Sequence, residues 1–238
     1  MLTSQDNGAF GADTGTSLEN LLMELSHLDG KFRLRVGMLN PMLVAGRSYE
    51  MAKAWCDPRT YKFMHLPIQS GSQKILDSMV RDHTLEEFWE VVNVFREHYP
   101  EMMIITDVIT GFPGETDEDH QETISLLEEL LPDLVNVTRF SPRKGTPASR
   151  YKRINGRIIK KRSRELTVLR KELGARSFKR FVGRKTSILT VENQKRGSTL
   201  CRDDNYRPII LMKELPLGEF YDVEIIDSEY GFMTAILA

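Results

Sequence analysis

The stretch Thr106 to Glu118, T-D-V-I-T-G-F-P-G-E-T-D-E, constrains the fold of this chain more than any other. The apolar run Met102 to Ile105 leads into it, Val108 and Ile109 continue it, and a single charge, Asp107, sits near its middle. The run stops at Gly111-Phe112-Pro113-Gly114, and an acidic helical pattern begins. A nearly continuous apolar run that ends in glycine and hands over to a helix is a buried strand of a parallel sheet. In open α/β sheets and barrels, ligands sit at the carboxyl ends of strands, where such loops lie. Glycine in the loop serves either the close approach of a ligand to the backbone or a tight turn. The stretch alone is compatible with both.

The sequence on either side repeats the same logic. Leu18 to Leu28 has leucines at helical spacing, Lys31 to Met38 alternates apolar and basic residues like a strand, and Tyr61 to Pro67 reads as a short strand. The serine and glycine cluster Gln69 to Ser72 then caps a helix from about Gln73 to Met79. Thr84-Leu85-Glu86-Glu87 is a capping box that opens a helix to about Tyr99, with Leu85, Phe88, Trp89, Val92 and Phe95 as its core stripe. The strand Met102 to Thr110, a helix from about Thr116 to Leu131 and a strand Leu134 to Phe140 follow. Such β-α-β repetition requires right-handed crossovers and a parallel sheet or partial barrel. Three loops, Gln69 to Ser72, Gly111 to Glu115 and Ser141 to Pro147, would then converge on the carboxyl rim.

Beyond residue 150 the character changes twice. Arg157 to about Phe181 is a long basic amphipathic helix with Leu166, Leu169 and Leu173 facing inward. After Gly183, Thr186 to Glu192, Pro208 to Lys213, Phe220 to Asp227 and Phe232 to Leu237 read as short strands of a small OB-like β-barrel. The expected organisation is therefore an α/β part over residues 1–150, a basic helical connector over 151–181 and an all-β barrel over 182–238.

Charge is divided unevenly. Tyr151 to Lys185 holds 14 Lys and Arg against two Glu, a net +12, which leaves −13 for the rest of a chain whose total is −1. A basic band on an acidic body points either to a polyanionic partner or to a solvated helix face. The two cysteines, Cys56 and Cys201, and the five histidines show no metal-ligand spacing, so no metal site is assigned to this chain. No apolar run approaches the roughly 20 residues of a membrane span, and the first residues lack a basic-then-apolar leader. The expectation is a cytoplasmic protein with no membrane contact.

Four motifs together resemble the radical S-adenosylmethionine methylthiotransferases: H-L-P-I-Q-S-G-S at His65 to Ser72, R-D-H-T-L-E-E at Arg81 to Glu87, T-D-V-I-T-G-F-P-G-E-T at Thr106 to Thr116, and S-P-R-K-G-T-P-A at Ser141 to Ala148. The last part of the chain is similar to that family's TRAM domain, an RNA-binding barrel. Leu2 to Gly11 and Lys152 to Leu166 resemble the archaeal and eukaryotic branch, which acts on N6-threonylcarbamoyladenosine at position 37 of tRNA. The resemblance implies a partial (β/α) radical S-adenosylmethionine barrel followed by a TRAM barrel, with tRNA at its anticodon loop as partner and no DNA. Other branches act on isopentenyladenosine tRNA or a ribosomal protein, and a non-catalytic RNA-binding fragment is a further alternative.

The chain departs from the family in one respect. Members carry a C-x-x-x-C-x-x-C loop for a [4Fe–4S] cluster, and neither Cys56 nor Cys201 stands in such a pattern. The expectation is a C-terminal fragment, or a truncated or misassigned gene start, whose missing N-terminal part would be a partner and whose isolated form would not perform radical chemistry. The cofactor side carries over as S-adenosylmethionine contacts: Ile109, Gly111 and Glu115 toward the adenine, Gln69 and Ser70 toward methionine or ribose groups, and Ser4, Gln5 and Asp6 toward the amino group. Arg143 pairs with a carboxylate or phosphate or is simply loop charge, and Asp107 points into the cleft or accepts buried hydrogen bonds. For RNA the candidates are Lys160, Lys161 and Arg164 on the basic helix and Lys185, Lys195, Arg196, Arg202 and Arg207 in the barrel. Tyr206 is either a base-stacking platform or a filler residue.

Overall fold

The computed structural model describes residues 1–195 and 197–238. The opening stretch folds as its pattern requires. Strand β2 (Met103–Thr110) lies between β1 (Phe63–His65) and β3 (Leu134–Arg139), all parallel, with Phe63 opposite Met103 and Ile105 opposite Leu134. Ile104, Thr106, Val108 and Thr110 point to the helical layer and are buried, while Ile105, Asp107 and Ile109 face the other way and are half-buried. The sheet continues beyond β1 only through isolated parallel bridges, Leu34 to Thr60, Met38 to His65 and Leu2 to Val36. The strand expected over Lys31 to Met38 is therefore reduced to single contacts. At Gly37 the chain runs against Asn7 and the Leu2 carbonyl, which a side chain would meet at 2.5 and 3.0 Å. The result is an α/β partial barrel.

Helices cover its outer face. They are α1 (Leu18–Ser26), the short α2 (Pro41–Val44) and α3 (Ser48–Ala54), α4 (Gln73–Ser78), α5 (Leu85–His98) and α6 (Asp117–Leu130). Both capping boxes close: Thr84 with Glu87 begins α5, and Thr116 with Asp119 begins α6. Ser72 departs from expectation, since its hydroxyl gives the helix end no cap and bonds Asp119 instead. The core stripe of α5 buries Phe88, Val92 and Phe95 completely, and Trp55 meets Phe95 edge-on at 5.5 Å.

Helix α7 (Gly156–Lys179) crosses the whole α/β unit. At 1.5 Å per residue its 24 residues reach about 36 Å. It buries Leu166 and Leu173 against the helical core and packs along β3. The chain then closes a barrel of β4 (Lys185–Gln194), β5 (Ser198–Arg202), β6 (Pro208–Leu211), β7 (Phe220–Glu229) and β8 (Phe232–Leu237), in the order β4-β5-β6-β8-β7. Strand β5 is absent from the sequence expectation because its residues, S-T-L-C-R, alternate weakly and follow a turn.

The small barrel is joined to the α/β unit through a shared core. Tyr61, Phe63 and Met103, at the amino ends of β1 and β2, pack with Phe178, Phe181 and the barrel's Ile188, Ile209 and Val223. Three residues expected to face RNA lie in this junction. Arg207 is fully buried, donates to the Glu101 carbonyl and to Asp203 at 3.1 Å, and approaches Asp133 at 3.9 Å. Tyr206 meets Tyr61 and Phe63 edge-on at 5.0 and 5.1 Å, and Arg202 stacks on Tyr206 at 4.2 Å. Burial of these aromatic faces and guanidinium planes is worth more here than exposure to solvent, so they do not form an RNA-facing platform. Lys185 and Lys195 are exposed, and Arg196 lies outside the described residues.

Burial pushes the Asp203 carboxyl up, and the neighbouring Arg207 guanidinium pulls against it. Removing Arg207 leaves Asp203 and Asp133 buried without their cation. Arg207→Ala is expected to cost about 3–5 kcal/mol of stability and to split the urea unfolding curve into separate transitions for barrel and α/β unit. A single transition at the wild-type midpoint would show that the junction does not depend on this guanidinium.

Candidate functional site

A cleft of about 510 Å³ opens at the carboxyl ends of β1 and β2, lined by Ser4, Gln5, Asp6, Asn40, Gln69, Arg81, His83 and Asp107 among others. Five of the expected cofactor contacts, Ser4, Gln5, Asp6, Gln69 and Asp107, meet there. Each is placed by local chemistry. Asp6 accepts from the amides of Gly8 at 2.9 Å and Asn40 at 3.3 Å, which ties the first turn to the start of α2. Gln69 sits at φ 72°, a left-handed conformation uncommon outside glycine. It is held there by β2, bonding the Asp107 carbonyl and the Ile109 amide through its own backbone at 2.8 and 2.9 Å.

Asp107 satisfies both of its sequence alternatives. It lines the cleft and accepts from His65 Nε2 at 3.1 Å and Asn136 Nδ2 at 2.7 Å. Burial pushes its carboxyl up, but these hydrogen bonds outweigh burial and hold it below the usual carboxylate range. It is an anion at neutral pH. His83 is 3% exposed, and neither ring nitrogen has a hydrogen-bond partner in the structure. Burial lowers its pKa against the pull of the Ile68 backbone, and so favours the neutral imidazole. An orphaned buried polar side chain at a cleft wall is an unmet hydrogen-bonding demand.

The sequence reading missed Arg81, His83 and Asn40 as lining residues. Arg81 and His83 stand between α4 and the capping box of α5, in a motif whose helical signal hides the loop before it. The backbone marks the place: Val80, β-branched and 70% exposed, sits at φ 56° immediately before Arg81. Non-glycine residues held in this region cost free energy and cluster at binding sites. Two such residues, Gln69 and Val80, flank the same stretch.

Other expected contacts lie elsewhere. Ser70 is buried behind the loop, its hydroxyl 3.4 Å from Thr123 Oγ1, and Gly71 packs on α6 so tightly that a methyl group would meet the Glu122 carbonyl at 2.6 Å. Glu115 is buried, and its Oε2 accepts from the Gly111 amide at 2.9 Å and from Arg162 at 2.6 Å. Its carboxylate is therefore consumed by the fold. Gly111, at φ 80°, leaves room for Ile159 of α7, which a side chain would meet at 2.7 Å, so the close approach is by a helix and not by a ligand. Ile109 and Arg143 belong to a second cavity of about 360 Å³ that shares Arg81 with the first.

The first cleft fits a cationic ligand that also carries polar groups: two carboxylates, one guanidinium, three side-chain amides and an imidazole converge on it. It does not fit an iron–sulfur cluster. Cys56 is exposed after α3, and Cys201 is buried in β5, where burial pushes its thiol up to about 11. Among the described residues no group of three or more His, Cys, Asp or Glu is arranged to hold a metal ion. Among them also, no helix is long and apolar enough to cross a membrane.

Comparison with known proteins follows the same lines. The Radical SAM superfamily description matches residues 9–127. The chain is 44% identical over its whole length to the probable threonylcarbamoyladenosine tRNA methylthiotransferase of Archaeoglobus fulgidus, covering 56% of that protein. It is 36% identical over 98% of its length to the threonylcarbamoyladenosine tRNA methylthiotransferase of Xenopus laevis, covering 42% of that one. The chain thus spans about half the length of the curated relatives it matches. Among solved structures, the radical SAM enzyme coproporphyrinogen III oxidase of Escherichia coli superposes with a TM-score of 0.51 at 17% identity, over 66% of this chain and 36% of that one. At that identity the likeness concerns the fold.

Behind the Gln69 to Ser72 loop, Asp119 ties α4 to α6: it accepts from Ser72 Oγ and Lys74 Nζ at 2.7 Å each and from the Thr116 amide at 2.8 Å. Burial alone would raise its carboxyl, but these donors together hold it far below the usual range. A carboxyl depressed in the folded state contributes stability that is complete above its unfolded pKa of about 3.9 and is lost as pH falls toward the folded value. Asp119→Asn should therefore lower the urea midpoint at pH 7, with the gap from wild type closing as the pH drops below about 4. A gap that stays constant from pH 7 to pH 2 would contradict the assignment.

Proposed function

The chain belongs to the radical SAM superfamily, and from that premise we propose that it is part of a tRNA methylthiotransferase acting on N6-threonylcarbamoyladenosine at position 37. In this reading it supplies one wall of the S-adenosylmethionine cleft and a basic face for the RNA. The observation that carries it is the meeting of Asp6, Asp107 and the unpartnered His83 in one cleft at the carboxyl rim.

The ligand chemistry matches those residues. S-adenosylmethionine bears a sulfonium, an ammonium, a carboxylate and an adenine, and when bound it supplies methyl and radical chemistry. Asp107 and Asp6 offset its positive groups, Arg81 suits its carboxylate, and Gln69 and His83 offer directional hydrogen bonds. Because Asp107 is held in place by His65 and Asn136, its charge is positioned before the ligand arrives.

The RNA side rests on Lys160, Lys161 and Arg164, all exposed along α7. Lys161 reaches Glu165 only at 3.7 Å across an exposed face, which leaves its charge available. The same helix places Ile159 over Gly111, so this basic stretch runs beside the rim that holds the cavities. The exposed Lys185 and Lys195 add charge from the small barrel, which resembles a TRAM domain.

Two measurements test the reading. Titration calorimetry should register S-adenosylmethionine binding to the chain, weakened about tenfold or more by Asp107→Asn; silence in the wild type would remove the cleft assignment. Charge reversal at Lys160, Lys161 and Arg164 together should weaken tRNA binding and reduce the slope of log affinity against log salt by about two to three. An unchanged slope would make the band a solvated helix face.

A further inference from the structure

The second cavity has a composition at odds with its surroundings. Arg81, Arg139 and Arg143 line it, and no aspartate or glutamate does. The rest of the chain, outside Tyr151 to Lys185, carries a net charge of −13. Among the described residues none of these three guanidiniums has an ion-pair or side-chain hydrogen-bond partner, whereas Arg47, Arg59, Arg162, Arg184 and Arg207 all have one. Three exposed like charges around one volume repel each other through solvent, and an anion that joins them relieves that repulsion.

The cavity is also more than a charged surface. Ile109 and the rings of Phe112 and Phe140 line it, the two rings packed edge-on at 5.0 Å. A backbone phosphate stays hydrated and needs no apolar floor, so the fitting ligand carries its negative charge on an apolar or aromatic body that enters. At about 360 Å³ the space lies in the ordinary range for small-ligand sites. Its position follows from β2. Asp107 faces the first cleft, and Ile109, two residues on and on the same face, lines the second, with Arg81 shared between them. Whatever occupies the second cavity therefore lies next to the occupant of the first. The Ser141 and Thr138 hydroxyls also line the space.

We propose that this cavity reads the substrate nucleoside: its apolar floor takes the base, and Arg139 and Arg143 take the carboxylate of the threonylcarbamoyl group, while Arg81 stays with the occupant of the first cleft. The assignment rests on the function proposed above, since the ligand's identity comes from it. The site makes the negative charge of the modified base a requirement and gives plain adenosine, which lacks the carboxylate, no partner for the guanidiniums. Leaving them unpaired beside a bound base is the penalty that creates discrimination.

Three RNA anticodon-stem hairpins test this, carrying at the target position N6-threonylcarbamoyladenosine, its methyl ester or adenosine. Wild-type chain should prefer the first by about tenfold over the other two. Arg139→Gln with Arg143→Gln should bring all three to the affinity of the adenosine hairpin, with circular dichroism unchanged because both residues are exposed. The free nucleoside, followed by saturation-transfer NMR, should bind wild type and not the double variant. If the double variant weakens all three hairpins equally, the arginines contact phosphate and the carboxylate site is refuted. Equal wild-type affinity for the three hairpins would refute it too, while leaving the RNA reading in place. If wild type binds no hairpin and no nucleoside, the tRNA reading itself fails and the site falls with it.

Discussion

The arrangement of the second cavity and of the start of α7 depends on one buried ion pair, Arg162 of α7 with Glu115 in the loop after β2, 2.6 Å apart and each about 95% removed from solvent at the side chain. Burying two charges is expensive, and the attraction between them recovers that cost only when the remaining donors and acceptors are also satisfied. Here they are. Glu115 takes the Gly111 amide as well, and Arg162 donates further to the Glu115 carbonyl and to Asp117. The pair closes the loop into a ring whose open face is filled by Ile159 over Gly111. Phe112, which lines the second cavity, is positioned by that ring. So is the first part of α7, whose exposed lysines follow its path.

How much of this could be read beforehand depended on the range of the interaction. The βα unit at Thr106 to Glu118 was legible because local rules determine it: an apolar run, a glycine turn and a capping box. The amphipathic stripe of α5 and the inward leucines of α7 were legible for the same reason. Gly111 and Glu115 were misassigned because their partners, Ile159 and Arg162, lie more than 40 residues further along the chain, and no local signal separates a glycine that admits a helix from one that admits a ligand. His83 was hidden by a stronger neighbour, since Thr84 to Glu87 so clearly begin a helix that the residues before it read as linker. Charge counting erred in the junction. Arg202 and Arg207 were assigned to the surface on residue type alone, yet aromatic faces and buried carboxylates hold them between the two barrels.

That displacement changes what the basic character of the chain means. Of the positive charges in α7, Arg162 is spent on Glu115 and Asp117, and Arg170 reaches back to the Val135 carbonyl. Formal charge therefore overstates the field available to a polyanion, which is set by the exposed subset. The exposed subset is grouped: Lys160, Lys161 and Arg164 occupy consecutive turns near the rim, while Lys185 and Lys195 sit on the small barrel.

The distance between these groups bears on the kind of partner they suit. The cavities open at the carboxyl ends of β1 to β3, and the small barrel docks on the amino ends, where Tyr61, Phe63 and Met103 enter its core. Eight residues of β2 separate the two ends, about 26 Å at 3.3 Å per residue. A small molecule held in either cavity cannot touch the barrel, and a barrel fixed by Arg207 and Tyr206 cannot swing up to the rim without exposing them. A ligand that uses both ends must span tens of ångströms while presenting one small anionic group at the rim. A folded RNA with a modified base meets both conditions, and the rigid junction then acts as a spacer that sets how far from the base the second contact falls.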